Sequence, residues 1–331
     1  MKIVFVHYGE YLPRYLIQNL KVTKADFPSA EVILITDSNL RIQEIADVSV
    51  FRSSFDLSQI PSLGILKHPK GFRDGFWFKS IYRFFSLREY MNTNPGEIFH
   101  VESDVRLSKD FPFDKFIDHK LDIAFPLVDQ QRGIASLLFV RNLLSLDHFL
   151  SQIVSYMRID NSETDMTLLG KYSLNFPSKV LVLPIGPYEM MKFGEERMQD
   201  GWKESILKNI EYFGGYFDGF HFGQYLFGTD SRNSYGVSYL KSNSSAQTFP
   251  KANVKISWNQ SRNFPFVNHL DSSLPLFSLH FHNKSVRMIS TPRLSISFKI
   301  KYGVGRFRLN PLIFLSLVLK KIKKITREIS A

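Results

Sequence analysis

Two carboxylates stand two positions apart in Glu102-Ser103-Asp104, directly after the apolar run Ile98-Phe99-His100-Val101. At the carboxyl end of a buried strand, such a pair sits where open α/β sheets bind their ligands. Two ionised acids this close repel each other, so a cation or a set of hydrogen-bond donors is expected beside them. Mg²⁺ and Mn²⁺ prefer carboxylate oxygens and bridge them readily to phosphates. The same triplet also fits a plain acidic turn that caps the next element.

Three further groups carry chemistry. In His280-Phe281-His282-Asn283-Lys284 the two histidines fall on one face of a strand. There an imidazole suits Mn²⁺ and Lys284 suits a phosphate, while two ordinary histidines at a sheet edge satisfy the pattern equally. Lys79 and Arg83 lie four apart and share one face of a helix, placed to meet phosphate, to pair with Glu102 and Asp104, or simply to face solvent. Asp165 opens a helical stretch, a position for a general base or for an N-terminal cap.

The elements that must hold these groups follow from apolar spacing. Residues 2–6 (KIVFV) and 31–36 (EVILIT) read as buried strands, with a helix between them over residues 12–20. Strand, helix, strand in that order opens a parallel α/β sheet. A third strand is expected near residues 48–51, a helix over 76–91, and strands at 97–101, 122–126, 135–140, 180–183 and 275–282. Helices are expected at 143–156 and 163–171. Residues 214–233 are rich in glycine and aromatics, and residues 231–250 form a polar Ser/Asn stretch.

The chain has 331 residues and no cysteine, which excludes a disulfide scaffold, a thiolate metal site and a cysteine nucleophile, and fits a reducing compartment. Its opening residues read as a first strand rather than a signal peptide, and no stretch approaches the roughly 20 apolar residues of a membrane span. The net charge of +11 is lopsided: from Lys241 onward there are 16 cations and two acids, against 26 and 29 before it. A slightly acidic body with a cationic end argues for a local surface contact and against nucleic acid, whose readers spread cations over the binding fold. Within residues 291–331, PLIFLSLVL meets KKIKKITRE; as a helix it puts Leu315, Leu319, Ile322, Ile325 and Ile329 on one side and cations on the other. Such a segment suits lying on an anionic membrane surface, or packing on the body or a second subunit.

In the order and spacing of these segments, residues 1–290 resemble the GT-A class of nucleotide-sugar glycosyltransferases, and in particular bacterial surface-polysaccharide transferases. VHYGEYLPRYLIQNL…EVILITD is similar to the family's first βαβ unit, FWFKSIYRFFSLREY…EIFHVESDVRL to its helix and metal-binding "DXD" turn, and LHFHNKS to its late histidine segment. The resemblance implies a GT-A-like, Rossmann-type mixed sheet flanked by helices, with a nucleotide-binding part over about 1–125 and an acceptor part over about 126–290, followed by the basic amphipathic tail at 291–331 that the residues themselves show. It implies a hexosyltransferase moving sugar from a nucleoside-diphosphate donor to a glycan or lipid-linked acceptor, with Mn²⁺ or Mg²⁺; the tail itself adds the expectation of a peripheral place on the cytoplasmic face of the membrane. The resemblance implies metal ligands Asp104, His282 (the one nearer Lys284) and, more loosely, Glu102, which departs from the family's first Asp. Donor contacts fall to His7, Tyr8, Thr36, Asp37, Lys79, Arg83, Glu102, Ser103 and Lys284. The resemblance points at Asp165, within ETDMTLL, as base, and FDGFHFGQYLFGTDSRN at Asp218, Gln224 and Asp230 as acceptor contacts.

Two other classes compete with this expectation. A metal-dependent nucleotidyltransferase also uses paired acids, but His7-Tyr8-Gly9-Glu10 offers no glycine-rich phosphate loop. A non-enzymatic protein that binds membrane or nucleic acid through the basic tail is the other.

Overall fold

The structure is a computed structural model that describes residues 1–9, 11–37, 45, 47–54, 66, 75–188, 201–227, 254–259, 263–282, 284 and 289. The expected amphipathic tail and Asp230 lie outside the described residues.

The larger of two sheets contains β1 (Lys2–His7), β2 (Glu31–Thr36), β3 (Ser49–Arg52), β4 (Ile98–Val101), β6 (Ile123–Asp129), β7 (Arg132–Gly133), β8 (Leu137–Val140) and β9 (Val180–Leu183). Its order is β3-β2-β1-β4-β8-β6-β7, with β9 also paired to β6. β1 runs parallel to both β2 and β4, whereas β8 is antiparallel to β4 and to β6. The order reverses between β1 and β4, so their carboxyl ends, at His7 and Val101, flank the crevice where such sheets take ligands. An acceptor part starting at 126 would begin inside β6, within this one sheet.

Strands such as EVILIT read as nearly unbroken apolar runs because helices cover both faces. Alternation divides β1 between them. Val4, Ile33 and Ile35 pack with α2 (Phe76–Thr93), α4 (Leu143–Ile159) and α5 (Asp165–Asn175) through Phe84, Phe149 and Tyr172. Ile3, Phe5, Val32 and Leu34 pack with α1 (Arg14–Asp26), α3 (Phe113–Asp118) and α6 (Trp202–Phe213) through Leu16, Leu20, Phe116 and Phe213. Helix starts follow local chemistry: Pro13 precedes α1, the Asn142 side chain accepts from Ser145 N at 2.9 Å ahead of α4, and Thr164 forms a capping box with Thr167 ahead of α5.

The second sheet holds β10 (Tyr216–Phe217), β13 (Ser272–His280), β12 (Phe264–His269) and β11 (Lys255–Asn259), with β5 (Val105–Leu107) paired antiparallel to β13. Of these strands only β13 is expected from the sequence; the described part of the stretch rich in glycine and aromatics, from residue 214, contains β10 and α7 (His221–Phe227). A third apolar cluster lies under this sheet, from Tyr216 and Phe222 to Leu279, Phe281 and Ile289. Arg106, on β5, donates to Ile289 O at 2.8 Å and to Asp26 Oδ2 at 3.1 Å, tying residue 289 to the body.

Candidate active site

The acidic turn is the chain's crossing from one sheet to the other, since β4 belongs to the large sheet and β5 to the small one. Its backbone is pinned on every side. Glu102 N donates to Ser136 O and Val105 N to Glu102 O, both at 3.0 Å. Buried Asn19 donates through Nδ2 to Ser103 O at 3.2 Å and Val105 O at 2.7 Å. Because His280 pairs with Val105 across the β13–β5 ladder, the end of β13 is delivered beside Asp104, and Phe281 N donates to Asp104 O at 2.7 Å.

Around this turn, Glu102, Asp104 and His280 each offer a ligand atom within 4.8 Å of the others. The arrangement has a simple rule. Each acid gives one oxygen to a cation and turns the other toward the same imidazole nitrogen. Glu102 Oε1 accepts from Arg83 Nη1, and its Oε2 lies 3.7 Å from His280 Nε2. Asp104 Oδ2 accepts from Lys284 Nζ at 2.6 Å, and its Oδ1 lies 3.3 Å from His280 Nε2. On the far side of the ring, His280 Nδ1 faces Gly219 O at 2.9 Å; a carbonyl only accepts, so Nδ1 carries hydrogen and Nε2 is the nitrogen turned to the acids. A hydrogen bond to the outer ring nitrogen is the usual support of a metal-binding histidine. Two carboxylate oxygens and an imidazole suit Mn²⁺ or Mg²⁺.

The charges are mutually tuned. Burial alone would raise Asp104, but His280 and Lys284 hold it well below the usual carboxylate range. Burial likewise opposes ionisation of Glu102, and Arg83 and His280 overcome it. Burial pulls His280 down, yet Asp104 and Glu102 push it up to about 9.

Of the two histidines, proximity to Lys284 in the sequence favours His282. Here His280 joins the acids, while the His282 ring stacks on it with centroids 3.7 Å apart and its Nε2 is buried without a hydrogen-bond partner among the described residues. β13 stops at His280, so the alternation that would align the two rings toward the acids ends there.

Arg83 and Lys79 also separate. Arg83 is buried and reaches Glu102 with Nη1 and Asp165 with Nη2, whereas Lys79 is half-buried and faces His7, whose pKa is lowered by burial first and by the Lys79 charge only in small part. Asp165 is not a cap, that position being Thr164; it is the first residue of α5, and burial raises its pKa against the pull of Arg83.

Four of the remaining candidates, His7, Tyr8, Thr36 and Asp37, lie at the ends of β1 and β2. His7 Nε2 meets Tyr11 O at 3.0 Å, and Asp37 Oδ1 accepts from Gly9 N at 3.2 Å. Tyr8 donates to Ser86 Oγ at 2.8 Å, and Thr36 is buried with its carbonyl accepting from Ser53 N. Ser103 contributes its carbonyl to Asn19. Asp218 is fully buried and spends its carboxylate on backbone N–H groups, and burial pushes it up to about 6. Gln224 N donates to Phe220 O at the start of α7.

No family model matches the chain, and no curated protein matches it. Among solved structures, the galactosyltransferase LgtC, in complex with donor and acceptor sugar analogues, is similar at 16% identity over 63% of this chain and 83% of its own, with a TM-score of 0.42. Mouse xyloside xylosyltransferase 1 is similar at 10% identity over 56% and 86%, with a TM-score of 0.39. The PaToxG glycosyltransferase is similar at 14% identity over 64% and 85%, also with a TM-score of 0.39.

Proposed function

We propose that this chain is a metal-assisted glycosyltransferase that moves a hexosyl group from a nucleoside-diphosphate sugar to a hydroxyl of a glycan or lipid-linked acceptor. The observation that carries the reading is the convergence of Glu102, Asp104 and His280 at the ligand-binding end of a parallel sheet, with Lys284 alongside. A Mn²⁺ or Mg²⁺ ion held by these three residues would offset the charge that grows on the diphosphate as the glycosidic bond breaks. Lys284 adds a second positive charge on the same side. Arg83 fixes Glu102 so that one oxygen stays turned toward His280. Asp165, whose Oδ2 accepts from Arg83, holds that guanidinium beside Glu102. The ends of β1 and β2, with His7, Tyr8, Thr36 and Asp37, are the floor we assign to the nucleotide.

No helix among the described residues is long and apolar enough to cross a membrane. The amphipathic sequence of residues 291–331 supports docking on the cytoplasmic face of an anionic membrane, which fits a lipid-linked acceptor.

A thermal-shift screen of UDP-, GDP-, CMP- and dTDP-sugars, with and without Mn²⁺, tests the reading. One donor class should raise the melting temperature, and more so with metal, because a ligand of the native state stabilises it by linkage. Stabilisation by nucleoside triphosphates alone would favour nucleotidyl transfer, and no response to any nucleotide sugar would defeat the proposal.

A further inference from the structure

Asp218 follows β10 with no exposed surface, so its side chain is not open to an acceptor. Its Oδ1 accepts from Phe222 N at 3.0 Å, and its Oδ2 accepts from both Gly223 N at 2.8 Å and His280 N at 3.0 Å. The first two bonds hold the start of α7; the third reaches across to the end of β13. The next residue, Gly219, supplies the carbonyl that receives His280 Nδ1. Gly223 completes the enclosure, because a Cβ added there would lie 1.7 Å from His280 O. A six-residue stretch therefore grips His280 by its amide, its carbonyl and its ring. Ser278 locks the other end, donating nothing to the acids but meeting Asp218 N through Oγ at 3.1 Å.

The chemistry of the grip explains the residue types. Three N–H groups converging in a dry site need an acceptor with no hydrogen of its own, and an ionised carboxylate is that acceptor. Only a residue without a side chain lets α7 approach the His280 carbonyl so closely.

We propose that Asp218 and Gly223 are positioning residues that set His280 Nε2 toward Glu102 and Asp104, so that the 218–223 turn governs metal affinity without touching metal or substrate. The proposal rests on the metal-site reading above. Partners behind a metal ligand typically change affinity by about 10–100-fold when altered.

The test is Mn²⁺ titration calorimetry of the full chain, with melting temperatures of the metal-free proteins alongside. Asp218→Asn turns one acceptor oxygen into a donor, and Gly223→Ala pushes on the His280 carbonyl. Both should weaken Mn²⁺ binding by about tenfold or more. Asn209→Ser on α6, which loses a buried bond to Val182 O of β9, is the control for general destabilisation and should keep wild-type affinity. Combined with His280→Ala, Asp218→Asn should add nothing further, since both act through the same ring. Wild-type affinity in Asp218→Asn and Gly223→Ala, a loss matched by Asn209→Ser, an additive double variant, or failure of both variants to fold would each overturn the positioning role. Absence of Mn²⁺ binding in the wild-type protein would instead strike the metal reading itself.

Discussion

Lys284 and Asp104 meet at 2.6 Å although 180 residues of chain separate them. Lys284 holds a left-handed backbone, with φ of +54°, which costs a non-glycine residue about 1 kcal/mol and brings its ammonium back over the Tyr15 ring at 5.1 Å. That strain is tolerated because Lys284 N also donates to Phe281 O at 2.7 Å, closing the turn after β13.

Asp104→Asn keeps the shape of this contact and removes its charge. We expect sugar transfer to fall by about 10²-fold or more, with the fold intact by circular dichroism. Full activity of this variant in the presence of a chelator would show that Asp104 binds no metal needed for turnover.

His280 sets a pH dependence of known sign. Its pKa in the folded protein, about 9, lies above the ordinary 6.5, so its contribution to stability is complete below pH 6.5 and fades as pH rises toward 9. A metal ion must displace the same proton, so Mn²⁺ affinity should rise by about tenfold per pH unit as pH approaches 9. Calorimetry at pH 7.5 in two buffers of different ionisation enthalpy should register about one proton released per ion. His280→Ala should abolish that release, whereas His282→Ala should keep it.

Arg83 is 8% exposed and serves two carboxylates at once. Arg83→Met removes the buried cation that both share and should cost about 3–5 kcal/mol in urea denaturation. Adding Asp165→Leu should recover part of that loss, because it removes one of the stranded charges. A double variant no more stable than the single one would contradict the pairing.

Truncation after Asn310 deletes the apolar run and the lysine cluster that follows it. Cell fractionation should then find the protein moved from membrane to soluble fractions. Unchanged partitioning would rule out the tail as the anchor.

The scaffold was largely visible in the residues. Val180–Leu183 is the expected strand, and the acid turn lies directly after Ile98–Val101 as the apolar run requires. Apolar periodicity reads such elements because each is buried on its own account. What the periodicity could not supply was partnership. Lys79 and Arg83 share a helix face in sequence, and only packing against α5 buries Arg83 between Glu102 and Asp165. The period of two aligned His280 with His282, but the strand ends between them. α6, with buried Ile206, Asn209 and Phe213, went unread, as did the β11–β12 pair. Asp218 looked like a residue for chemistry because nothing in a sequence tells whether a carboxylate will spend itself on main-chain amides.

Because β5 needs β13 to close its ladder, the two acids acquire their imidazole only after residue 280 has been synthesised and threaded beside them. A ribosome-bound chain stopped short of that point presents two like charges with no third ligand. Assembly of the three-residue cluster therefore waits on a contact between segments far apart in sequence, and a chain lacking β13 cannot form it.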